Sequence, residues 1–163
     1  MTDLERSVSI TRPTDKELVF TRVFDAPRDL VWDAFTMEKH VINWWGPHGF
    51  RTESVKHDLR VGGSWKLIMH GPDGREYKNT LNYLEVKRPE RLVYRHAGEP
   101  GDEPVTFQTE ITFEDLDGKT RTTMRMVFDR PEDREFVTKT YQAEKGGVQT
   151  LTRLAEFLEM IKV

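Results

Sequence analysis

A chain of 163 residues that is 36% hydrophobic, with four Trp, nine Phe and four Tyr, is long enough for one domain that buries a core and still encloses a cavity. Lys and Arg number 25 against 28 Asp and Glu, a formal charge of -3, so there is no basic footprint for nucleic acid or an anionic membrane surface. The absence of cysteine removes disulfides, thiolate metal sites and thiol catalysis together.

Residues 1–6 show no basic region followed by an apolar stretch, and no apolar run reaches the length of a membrane span, so no membrane partner and a cytoplasmic location are expected. Residues 1–15 are polar apart from Val8 and Ile10 and end in the turn sequence Arg12-Pro13-Thr14-Asp15. They are expected to form a tail or a short edge strand, with the domain proper at 16–163. Between Glu17 and Phe24, Leu18, Phe20 and Phe24 alternate with Val19, Thr21 and Val23, which predicts a strand apolar and covered on both faces. Asp25-Ala26-Pro27 supplies a capping carboxylate and a proline suited to a first helical turn; a helix with Leu30, Val31, Ala34 and Phe35 should run to about Thr36. A second short helix carries Val41, Ile42, Trp44 and Trp45 and stops at Gly46-Pro47-His48-Gly49.

From Phe50 to Asp129 the pattern is of strands separated by turn chemistry. The breaks are Gly62-Gly63, Gly71-Pro72-Asp73-Gly74, Arg88-Pro89-Glu90, Gly98 to Pro104, and a tight hairpin at Asp117-Gly118. With the first strand this meander gives an antiparallel sheet of about seven strands, wide enough to curl. From Glu132 onward Val137, Tyr141, Val148, Leu151, Leu154, Ala155, Leu158 and Ile161 recur at helical spacing. The class expected is α+β: a curved antiparallel sheet around a long C-terminal helix, the helix-grip arrangement, with two short helices after the first strand.

Several segments carry a resemblance. Arg22-Val23-Phe24-Asp25-Ala26-Pro27, Val31-Trp32, Trp44-Trp45-Gly46-Pro47, the run from Asp58 to Trp65, and Arg88-Pro89-Glu90-Arg91-Leu92 are similar to the bacterial single-domain relatives of the heat-shock-protein-90 ATPase activator, within the START-like, birch-pollen-allergen-like superfamily. The resemblance covers nearly everything after residue 16 and implies the helix-grip fold. It also implies two partners to weigh, an apolar ligand and a chaperone. Two positions depart from the family pattern: Val148, where many members have Trp, and Leu81, near which many have Gly.

Strand alternation then sorts the candidates for a ligand cavity. Trp65, Leu67 and Met69 share one face, as do Val105, Phe107 and Thr109, and as do Met124, Met126 and Phe128. Each alone reads better as core; together, under one helix in a curved sheet, they leave space near the helix's N-terminal half, within the ~300–1,000 Å³ usual for ligand sites. Trp44 and Trp45 sit on too short a helix to be buried on one side, so one of them should line the entrance. Tyr83, Tyr141, Gly147 and Leu151 complete the expected lining. The pair Gly146-Gly147 is costly inside a helix, about 1 kcal/mol each against alanine. A kink or close backbone approach at the cavity mouth, and a boundary between two helices near Lys145, account for it equally well. In both readings the segment around Phe136, Val137 and Tyr141 is expected to move as a lid.

Arg22, between Phe20 and Phe24 on one strand face, is either an anchor for a ligand's acidic head or, the stronger reading, a structural ion pair with Asp58, Glu85 or another acid. The five histidines, His40, His48, His57, His70 and His96, show no metal-ligand spacing, and no metal or cofactor is expected. No nucleophile elbow or phosphate-binding loop occurs. Tyr83, Tyr94 and Tyr141 with His57 as a base leave catalysis open, with the balance against it. The function expected is therefore binding of a small hydrophobic or amphipathic molecule; the alternatives are regulation of a heat-shock-protein-90 ATPase, or a cyclase- or hydrolase-like enzyme using the same cavity.

Overall fold

Turn chemistry divides the chain where glycine and aspartate allow the backbone to reverse. In the computed structural model, which describes residues 7–96 and 99–162, Gly62 and Gly74 stand at φ 86° and 87°, and Asp117 and Gly118 at 57° and 94°. This left-handed backbone lets neighbouring strands turn back with the sheet's own twist. The strands so bounded are β1 (Ser9–Thr11), β2 (Glu17–Phe24), β3 (Arg51–His57), β4 (Ser64–His70), β5 (Glu76–Lys87), β6 (Arg91–His96), β7 (Phe107–Asp115) and β8 (Thr120–Phe128). They form one antiparallel sheet in the order β1-β2-β8-β7-β6-β5-β4-β3. Among the described residues the strands number eight rather than seven; the addition is β1, which pairs Ser9 with Thr21 and Thr11 with Val19. Residues 1–6 of the expected tail and Gly98 of the fourth turn lie outside the described residues.

Among the described residues four helices complete the fold: α1 (Arg28–Thr36), α2 (Glu38–Val41), α3 (Pro131–Thr140) and α4 (Ala143–Ile161). Pro27, not Asp25, is the N-cap of α1, and no side chain caps it. The Asp25 carboxylate instead accepts a hydrogen bond from Lys162 Nζ at 3.2 Å, joining the start of α1 to the end of α4. Helix α2 ends at Val41, so Ile42, Trp44 and Trp45 lie in the turn after it. Aromatic edges seat α1 on the sheet, with Trp32 and Phe35 at 5.4 and 5.3 Å from Phe113. On β2, Val19 is buried but Val23 is 43% exposed, so the expected cover of the second face does not extend along the whole strand.

The C-terminal helical region breaks at Gln142, in left-handed backbone at φ 52°, ahead of the glycine pair. Helix α4 then runs unbroken through Gly146 and Gly147, which places the boundary between the two helices at Gln142 rather than near Lys145. A Cβ on Gly147 would lie 2.4 Å from Phe20 Cζ, closer than any side chain tolerates, so glycine is what allows the helix to rest on β2 there. Beyond that point Leu151, Leu154 and Leu158 are buried on the sheet, while Ile161 is half-buried at the helix end. Each such burial stabilises by roughly 1.5–3 kcal/mol. Among the described residues no helix is long and apolar enough to cross a membrane.

Candidate functional site

The contact of Gly147 with Phe20 fixes the N-terminal part of α4, and around it two adjoining recesses open between helices and sheet, an outer one of about 390 Å³ and an inner one of about 220 Å³. Met69, His96, Phe107, Met126 and Tyr141 belong to the walls of both, so the recesses adjoin across these side chains. Alternate residues of β4, β6, β7 and β8 face it, as the pleat of a strand dictates. The outer part adds Phe50, Tyr77, Val105 and Val137; the inner part adds Phe20, Trp45, Met124 and Leu151.

Helix α4 also positions the opposite wall. The Arg153 guanidinium donates to the carbonyls of Gly46 at 2.9 Å, Pro47 at 3.1 Å, Asn43 at 3.2 Å and Trp45 at 3.3 Å. Burial among these carbonyls lowers its pKa. Carbonyls of the loop that follows α2 are satisfied in this way, and Trp45 and Pro47 are held at the cavity.

At the mouth, three distant pieces of chain converge on one carboxylate oxygen. Glu103 Oε1 accepts from the Tyr141 hydroxyl at 2.7 Å and from Arg75 Nη2 at 3.1 Å, and Arg75 lies 4.2 Å over the Tyr77 ring. Burial, and then the bond to Glu103, raise the Tyr141 pKa. Inside, the polar groups are neutral. The His96 ring stacks on Phe107 at 4.0 Å, and Phe107 stacks in turn on Phe128 at 4.7 Å. Burial, with Arg95 adding to it, pushes the His96 pKa down to about 3, so the imidazole is neutral near pH 7. Its Nδ1 is buried without a hydrogen-bond partner among the described residues. The Tyr94 hydroxyl, by contrast, is bonded to Thr109, and burial raises its pKa.

Of the residues singled out in the sequence, Trp45, Met69, Phe107, Met124, Met126, Tyr141, Gly147 and Leu151 line the cavity. Five others pack outside its lining. Trp44 turns its indole toward α1 and donates to Ala34 O at 3.0 Å, and Trp65 donates to Ser54 Oγ at 2.9 Å. Leu67 is fully buried, Tyr83 packs edge-on against Tyr94, and Phe128 lies behind Phe107. Arg22 is also elsewhere: it lies beneath the far half of α4, with Ala155 and Leu158, and its guanidinium is 5.3 Å over the Phe24 ring. The two acids named for it have other partners, Asp58 with Arg60 at 2.9 Å and Glu85 with Arg91 at 2.7 Å. Sequence reasoning missed Arg75 and Glu103 altogether and considered His96 only as a metal ligand. The glycine turn before Arg75 fixes its place in a hairpin, but nothing in the sequence indicates that Glu103 or Tyr141 meets it.

A curved antiparallel sheet gripping one long helix, with a cavity between them, is the helix-grip class of protein. The family model described as Activator of Hsp90 ATPase homolog 1-like protein matches residues 25–159, and the chain belongs to that family. A solved protein of Arthrobacter aurescens is similar over 96% of this chain and 94% of its own, at 21% identity and a TM-score of 0.86. One of Mycobacterium smegmatis is similar over 93% and 96%, at 25% identity and 0.80, and one of Chromobacterium violaceum over 90% and 99%, at 26% identity and 0.75. No curated protein matches the chain in sequence.

Proposed function

We propose that this protein is a cytoplasmic carrier or sensor that holds a small apolar or amphipathic molecule between the sheet and α4. The observation that carries the reading is the recess of about 390 Å³, adjoined by a smaller one walled by Phe20, Trp45, Phe107, Met124 and Met126. Its volume lies in the range of ligand sites rather than of packing defects, and its methionines adapt to guests of different shape. Helix α3 contributes Val137 and Thr140 to the outer wall and is joined to α4 through the left-handed Gln142, so it covers the outer recess.

Thermal melts with fatty acids and naphthalene derivatives test the reading. A ligand at about 100 times its Kd stabilises by about 2.7 kcal/mol, which raises Tm by roughly 5–11 °C in a protein of this size. Met124 pairs with Phe20 on one side and Ile111 on the other and faces the inner recess. Met124→Trp should therefore fill the recess, keep the fold and abolish the ligand-induced rise. A wild type indifferent to every compound, with Met124→Trp destabilised by the ~1–3 kcal/mol of an overpacked core, would refute the cavity as a binding site. The family description supports a second reading, regulation of a heat-shock-protein-90 ATPase. That activity would use the outer surface and survive Met124→Trp unchanged.

A further inference from the structure

The outer face of the sheet, turned away from the cavity, partners its cations unevenly. On β6 and β8 the guanidinium groups of Arg91, Arg95, Arg121 and Arg125 each meet a carboxylate at 2.5–3.0 Å. At the other end of the sheet Arg51 on β3, Lys56 on β3, Lys66 on β4 and Lys78 on β5 are exposed, and none of them meets a carboxylate among the described residues. Lys56 stands directly opposite Lys66 in the β3–β4 ladder, and like charges so placed cost stability. The chain as a whole carries a formal charge of -3, so these cations are a local concentration in an acidic protein, left without the acids that the neighbouring strands supply to theirs.

Strand β3 is also the last strand of the sheet. Its backbone pairs with β4 on one side, and on the other side its N–H and C=O groups have no backbone partner among the described residues. Such an edge is a template for a further strand. Along it Arg51, Glu53 and, after the register shift between Ser54 and Lys56, Lys56 follow one another on the outer face, and Glu53 already contacts His70 at 2.9 Å. We propose that β3 pairs with an extended acidic segment of a partner protein, and that two carboxylates four residues apart on one face of that segment meet Arg51 and Lys56. The spacing follows from the pleat: alternate residues share a face at about 3.3–3.4 Å per residue, which sets the two cations about 13 Å apart. Lysines on an edge strand normally keep other strands away. Here they repel a second copy of β3, which would bring the same cations, and an acidic strand is the one whose charge fits. Lys66 lies one strand and Lys78 two strands further from the edge, so screening over roughly 8 Å leaves Lys78 little part.

The probe is the capped heptapeptide Thr-Glu-Val-Thr-Val-Glu-Thr, titrated into the full chain while backbone amide resonances are followed. Two control peptides accompany it: one with lysine in place of both glutamates, and one with proline in place of both valines, which keeps the charge and removes N–H groups that a ladder needs. The acidic peptide should shift the amides of residues 51–57 and leave those of Phe107 and Met126 at the cavity unmoved. Each control should bind about tenfold more weakly. The double variant Arg51→Glu, Lys56→Glu should weaken the acidic peptide about tenfold, whereas Lys78→Glu should change its Kd by less than about twofold. Should a variant not fold, the three peptides on the wild type decide. Absence of shifts in residues 51–57, a control that binds as well as the acidic peptide, or equal weakening by Lys78→Glu overturns the inference. Shifts of the same amides with protein concentration alone also overturn it, since the occupant would then be a second copy of the chain.

Discussion

Replacing Gly147 by alanine sets helix propensity against contact, and the structure says which wins. Within a helix the change alone favours alanine by about 1 kcal/mol. The added Cβ, however, would lie 2.4 Å from Phe20 Cζ and 2.5 Å from Cε1, roughly 1 Å inside the 3.5–4.0 Å at which carbon atoms pack best. Phe20 is 1% exposed and sits on β2 between β1 and β8, so either its ring swings into the inner recess or α4 lifts from the sheet. The expected net result is destabilisation of about 1–3 kcal/mol, read as a Tm lower by roughly 2–12 °C. Gly146→Ala is the control, because its Cβ meets only Pro47 Cγ at 3.2 Å, on a half-buried loop. That variant should range from unchanged to about 1 kcal/mol more stable. Denaturant midpoints for the two variants decide the matter. A Gly147→Ala protein as stable as Gly146→Ala would show that the ring moves freely and that close approach is not why glycine stands there.

Two further predictions concern the mouth and the interior of the cavity. Tyr141→Phe removes the hydroxyl that bonds Glu103 and should lower stability by about 1 kcal/mol. Amide exchange should quicken in residues 131–140 and stay unchanged in β7 and β8; equal exchange throughout would mean that the bond does not hold α3. His96 gives a pH dependence of definite sign: unfolded, it takes up a proton as pH falls below 6.5, but folded only near 3, so its contribution is complete above 6.5 and is lost as pH falls toward 3. The carboxylates held low by ion pairs, Glu17 and Asp129, act below their ordinary values of 4.5 and 3.8, and His40 and His57, also lowered by burial, act with the same sign as His96. The measurement is therefore the stability of wild type minus that of His96→Gln between pH 7 and 5, which should shrink with a slope of up to about 1.4 kcal/mol per pH unit. A flat difference would show that His96 titrates normally.

The sheet was legible because its information is local. Period-two alternation and glycine or proline turns suffice to place β2 to β8, and the only strand left undecided, β1, has just three residues. The errors in the helices have one physical source, that sequence signals register a cost without naming what offsets it. Asp25 carries the signature of an N-cap, yet its carboxylate is taken by Lys162 from the other end of the chain. Gly146-Gly147 carries the signature of a break, yet the glycine is required by the ring of Phe20 on another element. The true break falls at Gln142, a residue with no such signature, where left-handed backbone turns the chain from α3 into α4.

The site was legible to the same degree and for the same reason. Alternation selects Met69, Phe107, Met124 and Met126 as inward residues, and these border the recesses, because facing is decided by the strand itself. It cannot tell an inward side chain that lines the cavity from one that is packed over, and that distinction separates Met69 from Leu67 and Phe107 from Phe128. It depends on how α4 lies on the sheet: Leu154 and Leu158 are buried in the core, while Gly146, Gly147, Thr150 and Leu151 border the recess. The polar end of the site was further out of reach, since the bonds of Glu103 to Arg75 and Tyr141 span 28 and 38 residues of chain. One consequence is that substitutions at Met124, which faces the inner recess, should change affinity for all guests alike.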